Sequence, residues 1–296
     1  MAQKPNFFIV GAPKCGTTAL YDYLTQHPDI YMSPVKEPHF FSTDLEPPSY
    51  VREDSAYMDL FQQAEYEKMI GEASASYLYS KVAAEKIKQF SPNAKIILML
   101  RNPVELLYSL HSERLFALTE EFEKFEDALN AEEKRKKGLL PIKGAFALYR
   151  DVVTFCPQIE RYWKHFGKDK VHIILQDDFR KDTEGVFRET LRFLGLEMNV
   201  KVEFGIRNAN KESKSKLLRK LLIQPPDLVV NMGRILLPKI VRNALLDTLH
   251  RFNTVHTSRK PMDPDLKREL TIEFKPQVEQ LGNMIGRDLS KWYAGI

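Results

Sequence analysis

One segment constrains the chain more than any other: Phe7-Phe-Ile-Val-Gly11-Ala-Pro-Lys14-Cys-Gly16-Thr17-Thr18-Ala-Leu20. A run of strand type stops at Gly11, four residues separate it from Gly16, and two hydroxyl residues open a helical pattern. A strand that passes through a glycine loop into a helix leaves the first helical amides unpaired beside the strand's end, where they attract an anion. The two glycines let the backbone wrap closely around a phosphate. Phe7 to Val10 is apolar on both faces, as a strand buried within a parallel sheet is.

The loop departs from the ordinary triphosphatase pattern in two ways. Its lysine precedes the second glycine, which is followed by Thr17-Thr18 and not by Lys-Ser/Thr. The clearest other strand, Lys95 to Leu100, runs into Arg101, where many triphosphatases place a magnesium-holding aspartate. Arginine holds anions, not metals. The pattern predicts a nucleotide site whose charges are met by protein cations without magnesium.

Further strands are predicted at Met69–Glu72 and Val171–Leu175, and helices at Thr17–Gln26, Val82–Phe90, after Pro103, over Ala147–Phe166 and over Thr183–Leu194. Apolar strands alternating with amphipathic helices predict an α/β fold, a parallel β-sheet flanked by helices. We read a single domain over 1–296, with an α/β core over 1–200 and a mostly helical part over 201–296 that shows no strand pattern of its own. The charge run Glu132 to Lys137 reads as a solvated helix end. With 44 Lys plus Arg against 40 Asp plus Glu, the charge of +4 is too mild for a nucleic-acid binder and suits a small anionic ligand. The two cysteines give no disulfide framework, and the seven histidines lack metal-site spacing, so no metal is expected. No apolar run is long enough to span a membrane. The opening Met1–Phe8 leads straight into a strand without room for a secretory signal, and a reduced, cytoplasmic protein is expected.

At these residues the chain resembles the sulfotransferases that use 3′-phosphoadenosine 5′-phosphosulfate (PAPS) and release 3′-phosphoadenosine 5′-phosphate (PAP). Pro13-Lys14-Cys15-Gly16-Thr17-Thr18 is similar to their 5′-phosphosulfate loop, and Leu100-Arg101-Asn102-Pro103 through Ser109 to their 3′-phosphate segment. Lys36-Glu37-Pro38-His39-Phe40-Phe41, Gly71-Glu72 through Tyr77, and Gly286-Arg287 through Trp292 resemble stretches of the glycosaminoglycan-type and bacterial members. The resemblance implies a P-loop-like fold and in-line sulfuryl transfer. It implies that Lys14, Cys15, Gly16, Thr17 and Thr18 hold the 5′-phosphosulfate and that Arg101 and Ser109 hold the 3′-phosphate. A further basic loop is expected near Arg207 to Lys216, with Lys211 and Lys214 as its candidate ligands. Leu106 and Ala73 stand where many relatives carry arginine and lysine.

An acceptor hydroxyl or amine needs a base, and Glu37 and His39 compete for that role. Pro38 between them argues for a loop or sheet edge. Glu37 is the favoured base, on resemblance to the glycosaminoglycan-type enzymes. Cys15 lies near a helix N-terminus, which favours a thiolate, yet no base stands near it in sequence, which argues against a nucleophile. The acceptor is open among small molecules, lipids and glycans. The stretch 228–252 reads either as a packed amphipathic helix, or as an apolar lid or peripheral membrane contact for a lipidic acceptor. A P-loop nucleotide kinase and a non-catalytic nucleotide-binding protein remain as alternatives, and the oligomeric state is unknown.

Overall fold

A computed structural model describes residues 3–45, 50–205, 210–223, 252–257 and 259–294, with single positions at 225, 241, 245, 248 and 249. Its parallel sheet has five strands: β1 Phe7–Gly11, β2 Ile30–Met32, β3 Met69–Ala73, β4 Lys95–Leu100 and β5 Val171–Leu175. Their spatial order is β2-β3-β1-β4-β5. β1 is therefore central, with Phe7 paired to Gly71 on one side and Lys95 on the other. Every residue of β1 is buried, which explains its unbroken apolar run. Gly71 is the close-approach position of the sheet: a Cβ there would land on the ring of Phe7 and the sulfur of Met32.

Helices cover the sheet. α1 Thr17–Leu24 follows the glycine loop, α2 spans Asp54–Asp59, α3 Ser76–Tyr79, α4 Ala83–Phe90 and α5 Pro103–Phe116. α5 starts where proline suits the first turn, and Asn102 caps it by accepting from the amides of Val104 and Glu105. The expected single helix over Ala147–Phe166 is two: after α6 Phe125–Asn130 and α7 Glu132–Lys136 come α8 Tyr149–Val152 and α9 Phe155–Phe166. Pro157 breaks it: in a continuous helix its ring would clash with the carbonyl of Val153, so α8 ends at Val152 and the proline falls in the first turn of α9. α10 Gln176–Lys181 and α11 Thr183–Leu194 complete the core.

The C-terminal part, read as mostly helical with no strand pattern of its own, carries a strand pair. β6 Asn210–Ser213 pairs antiparallel with β7 Thr254–Thr257, and β6 lies against α5. Around them run α12 Lys216–Ile223 and α13 Pro264–Ile285. The segment after α13 clamps the core: Asn102 Nδ2 donates to Trp292 O (2.8 Å), Trp292 Nε1 to Asp177 Oδ2 (2.6 Å), and Arg287 pairs with Asp178 (2.6 Å).

The charge run at 132–137 is not wholly solvated either, because Glu132 and Arg135 are buried. Lying three apart, they share the inward face of α7. Glu132 pairs with Arg150 (2.6 Å) and Arg135 with Glu120 (2.6 Å). Glu120, whose side chain is 0% exposed, also accepts from Tyr149 OH (2.9 Å) and lies 3.7 Å from Arg114 Nε. Burial would raise the Glu120 carboxyl, but the Arg135 bond, the Phe122 amide and Tyr149 together hold it below the usual carboxylate range.

Glu120→Ala leaves two arginines without their shared anion and should destabilise the fold by about 3–5 kcal/mol. Urea unfolding at pH 7 measures this. A depressed carboxyl stabilises fully above its unfolded value of about 4.3 and loses that contribution as pH falls through its folded value. The gap between wild type and Glu120→Gln should therefore narrow in acid.

Candidate active site

The parallel strands end along one edge, and the loops that leave it carry the candidate residues. From β1, Gly11 enters the loop at φ 130°, where a Cβ would meet Ala75 O at 2.6 Å. Gly16 closes the loop in the left-handed region at φ 98° and caps α1, and no side chain accepts from the first amides of that helix. Thr17 and Thr18 form its first turn. The first amides of α1 therefore have no side-chain cap, the arrangement that attracts an anion.

Lys14 itself is left-handed, with φ 62°. Its carbonyl accepts from Arg101 Nη1 (3.2 Å) and Gln176 Nε2 (3.2 Å), which brace the loop from the ends of β4 and β5. Its ammonium pairs with Glu113 Oε2 on α5 at 2.9 Å. Arg101 also pairs with Glu105 (3.0 Å). Ser109, buried one turn further along α5, accepts from Arg259 Nη2 (3.0 Å), and Ser112 accepts from Arg259 Nε (2.9 Å). Lys14, Arg101 and Ser109 therefore converge, and Arg259 joins them from the chain before α13.

Arg259 was not among the sequence candidates. Of those from the expected basic loop, Lys214 donates its amide to Asn253 O (2.9 Å) and holds its ammonium 4.4 Å over the Phe252 ring. Lys211 lies on β6 opposite His256. Residues 206–209, and most of 228–252, lie outside the described residues. Gln176 and Glu113 also escaped the sequence reading, since each meets Lys14 only through the fold.

Glu37 and His39 lie on the loop after β2, tied to the end of β3: the Glu37 amide donates to Ala73 O (2.9 Å) and the His39 amide to Ser74 Oγ (3.1 Å). Both have positive φ, 60° and 54°. Three of the four non-glycine residues with positive φ among the described residues are Lys14, Glu37 and His39. Such strain persists where surrounding contacts over-determine it, and it gathers at functional sites. The two side chains meet, with His39 Nε2 3.4 Å from Glu37 Oε2, while Lys36 Nζ donates to Glu37 Oε1 (2.7 Å). Burial opposes the charge on Glu37, but His39 and Lys36 together bring its pKa down to about 2. His39 Nδ1 is 2.7 Å from Ser76 Oγ, which in turn meets Ser42 Oγ at 2.9 Å.

Behind this pair, Glu72 on β3 is fully buried and accepts from Ser74 Oγ (2.6 Å), Tyr77 OH (2.8 Å) and Tyr57 OH (3.0 Å). Burial outweighs these bonds and raises its pKa to about 7. A glutamate in an otherwise apolar strand was the available signal for this network. Among the described residues, no group of three or more His, Cys, Asp and Glu side chains is placed to hold a metal ion.

Cys15 is buried under the loop, its thiol 3.4 Å from Pro13 O, and burial pushes it up to about 12 despite Arg101 and Lys14 nearby. At pH 8 the thiolate fraction is then on the order of 10⁻⁴. Iodoacetamide at pH 8 should leave Cys15 unlabelled in the native protein and label it fully in denaturant, as peptide mass mapping would show. Ready native labelling would contradict the buried thiol.

Residues 4–221 match the family model described as the sulfotransferase domain. Human carbohydrate sulfotransferase 15 is 38% identical over 149 residues, covering 36% of this chain and 26% of that protein. The mouse heparan sulfate glucosamine 3-O-sulfotransferase 3B1 is 26% identical over 194 residues, covering 66% of this chain and 47% of that protein. The chain thus spans less than half the length of either relative. The crystal structure of a sulfotransferase from Alicyclobacillus acidocaldarius aligns with a TM-score of 0.74 and 31% identity, covering 98% of this chain and 99% of that one.

Proposed function

The chain belongs to the sulfotransferase family, and from that premise we propose that it transfers a sulfuryl group from PAPS to an acceptor hydroxyl. One observation carries the donor assignment. Lys14 and Arg101 leave the ends of adjacent central strands, Ser109 and Arg259 stand beside them, and Arg101 takes the place of an acidic strand end. The donor set fits a nucleotide with two separate anionic ends: uncapped amides and an ammonium at one, a guanidinium pair with a serine at the other.

When bound, PAPS supplies an activated sulfuryl group whose bond to the 5′-phosphate breaks as the acceptor oxygen bonds to sulfur. Lys14 and the first amides of α1 stabilise the negative charge that grows on the 5′-phosphate. Arg101, Ser109 and Arg259 anchor the 3′-phosphate and so fix the line of transfer. Glu37 takes the acceptor proton. His39, held by Ser76, orients the Glu37 carboxylate. Lys211 and Lys214 remain candidates for further contacts to the nucleotide. The names of the relatives support a carbohydrate hydroxyl as the acceptor class.

Calorimetry in EDTA should show PAP binding at least about tenfold tighter than AMP, since a lost charged hydrogen bond costs about 1.5–3 kcal/mol. Equal affinities would sink the donor reading. Arg101→Ala and Arg259→Ala should each weaken PAP binding, whereas Lys14→Ala should lower turnover by about 100-fold or more.

Glu37→Gln keeps the shape but cannot accept the proton. It should cut turnover by about 100- to 10,000-fold with PAP binding nearly unchanged. His39→Asn should have the smaller effect, and the reverse order in steady-state assays would assign the base to His39.

A further inference from the structure

Glu105, Ser109, Ser112 and Glu113 form one stripe along α5, at the i, i+4, i+7, i+8 spacing of a single helix face. Each engages a cation from elsewhere on the sheet edge. Glu105 holds Arg101, the two serines hold Arg259, and Glu113 holds Lys14 at 2.9 Å. Arg259 lies within electrostatic reach of Arg101, Glu105 and Glu113, so the stripe and its cations form one cluster.

Glu113 stands apart within that cluster. Ser109 and Ser112 are neutral and can stay in place beside a phosphate. Glu105 pairs within its own helix start, four residues from Arg101. Glu113 alone sets a negative charge against the cation proposed to meet the nucleotide's 5′ end. Its side chain is 52% exposed and that of Lys14 28%, so the pair is open to exchange with a solute anion.

We propose that Glu113 tempers nucleotide affinity at the 5′ end: its carboxylate holds the Lys14 ammonium, and a nucleotide that brings its own 5′ anion must displace it. This rests on the reading of Lys14 as the cation of the 5′ end. A 5′-phosphate must break the Lys14–Glu113 pair and then lie beside the carboxylate it has displaced. A nucleotide with a 3′-phosphate alone leaves the pair intact. The pair therefore lowers affinity for the bisphosphate and leaves the monophosphate unaffected. The same opposition weakens retention of PAP after transfer, which favours product release.

Glu113→Gln keeps the side-chain length and removes only the charge at a half-exposed position. Its affinities for PAP and for adenosine 3′-monophosphate are measured by calorimetry beside wild type. PAP should tighten by about 3- to 10-fold at low ionic strength, and the gain should shrink in ~0.5 M salt. Adenosine 3′-monophosphate should change by less than about twofold, since it offers nothing to Lys14. Unchanged or weaker PAP binding, or equal tightening of both nucleotides, would overturn the proposal. If Lys14→Ala binds PAP as well as wild type does, the reading of the donor loop itself fails and the role of Glu113 falls with it.

Discussion

The carbonyl of Lys14 accepts two side-chain hydrogen bonds, one from Arg101 at the end of β4 and one from Gln176 at the end of β5. The site depends on this arrangement. Lys14 sits in the left-handed region, which disfavours a side chain by about 1–3 kcal/mol. Two charged or polar donors from neighbouring strands are needed to keep it there. Because Arg101 both braces the loop and faces the nucleotide's proposed 3′ side, the loop and the strand end are one mechanical unit. The clamp from Trp292 to Asn102 and Asp177 extends that unit to the C-terminal segment, since Asn102 follows Arg101 and Asp177 follows Gln176.

Much of this was legible in the chain because burial on both faces leaves an unmistakable pattern. β4, β5 and α11 fall at the residues their apolar runs indicate, and β1 and β3 extend the expected runs by one residue. The α/β fold with its parallel sheet follows from those runs. What local pattern could not reveal was decided by partners distant in sequence. Asn210–Ser213 reads as a basic polar loop and becomes a strand only by pairing with Thr254–Thr257. Glu132 and Arg135 belong to a hydrophilic run, yet Arg150 and Glu120 bury them. Arg259 carries no local signal that separates it from the other arginines of the C-terminal part; only its approach to Ser109 and Ser112 does so.

The candidate site divides along the sheet edge into a braced half and a networked half. On the β1–β4–β5 side, loop shape is held by side-chain donors from Arg101 and Gln176 to backbone. On the β3 side, the loop bearing Glu37 and His39 is held by backbone bonds to Ala73 and Ser74, with Ser76 and Ser42 behind His39 and Glu72 behind Ser74. A fully satisfied buried network of this kind is rigid, and a half-satisfied one is costly. Glu72, with three donors, belongs to the satisfied kind. It ties β3, α3 and Tyr57 of α2 into the wall on which Glu37 and His39 stand.

The low pKa of Glu37, about 2, bears on how a base could work there. A carboxylate held by two cationic or donor partners has little appetite for a proton, so base function requires that one of them leave. Lys36 is the freer of the two: it is a flexible ammonium that meets Glu37 at 2.7 Å, whereas His39 is pinned by Ser76. If Lys36 leaves, Glu37 loses one stabilising charge and its proton affinity rises. On this view the competition between Glu37 and His39 is a division of labour within one couple. Lys36 is what holds the proton affinity of that couple down.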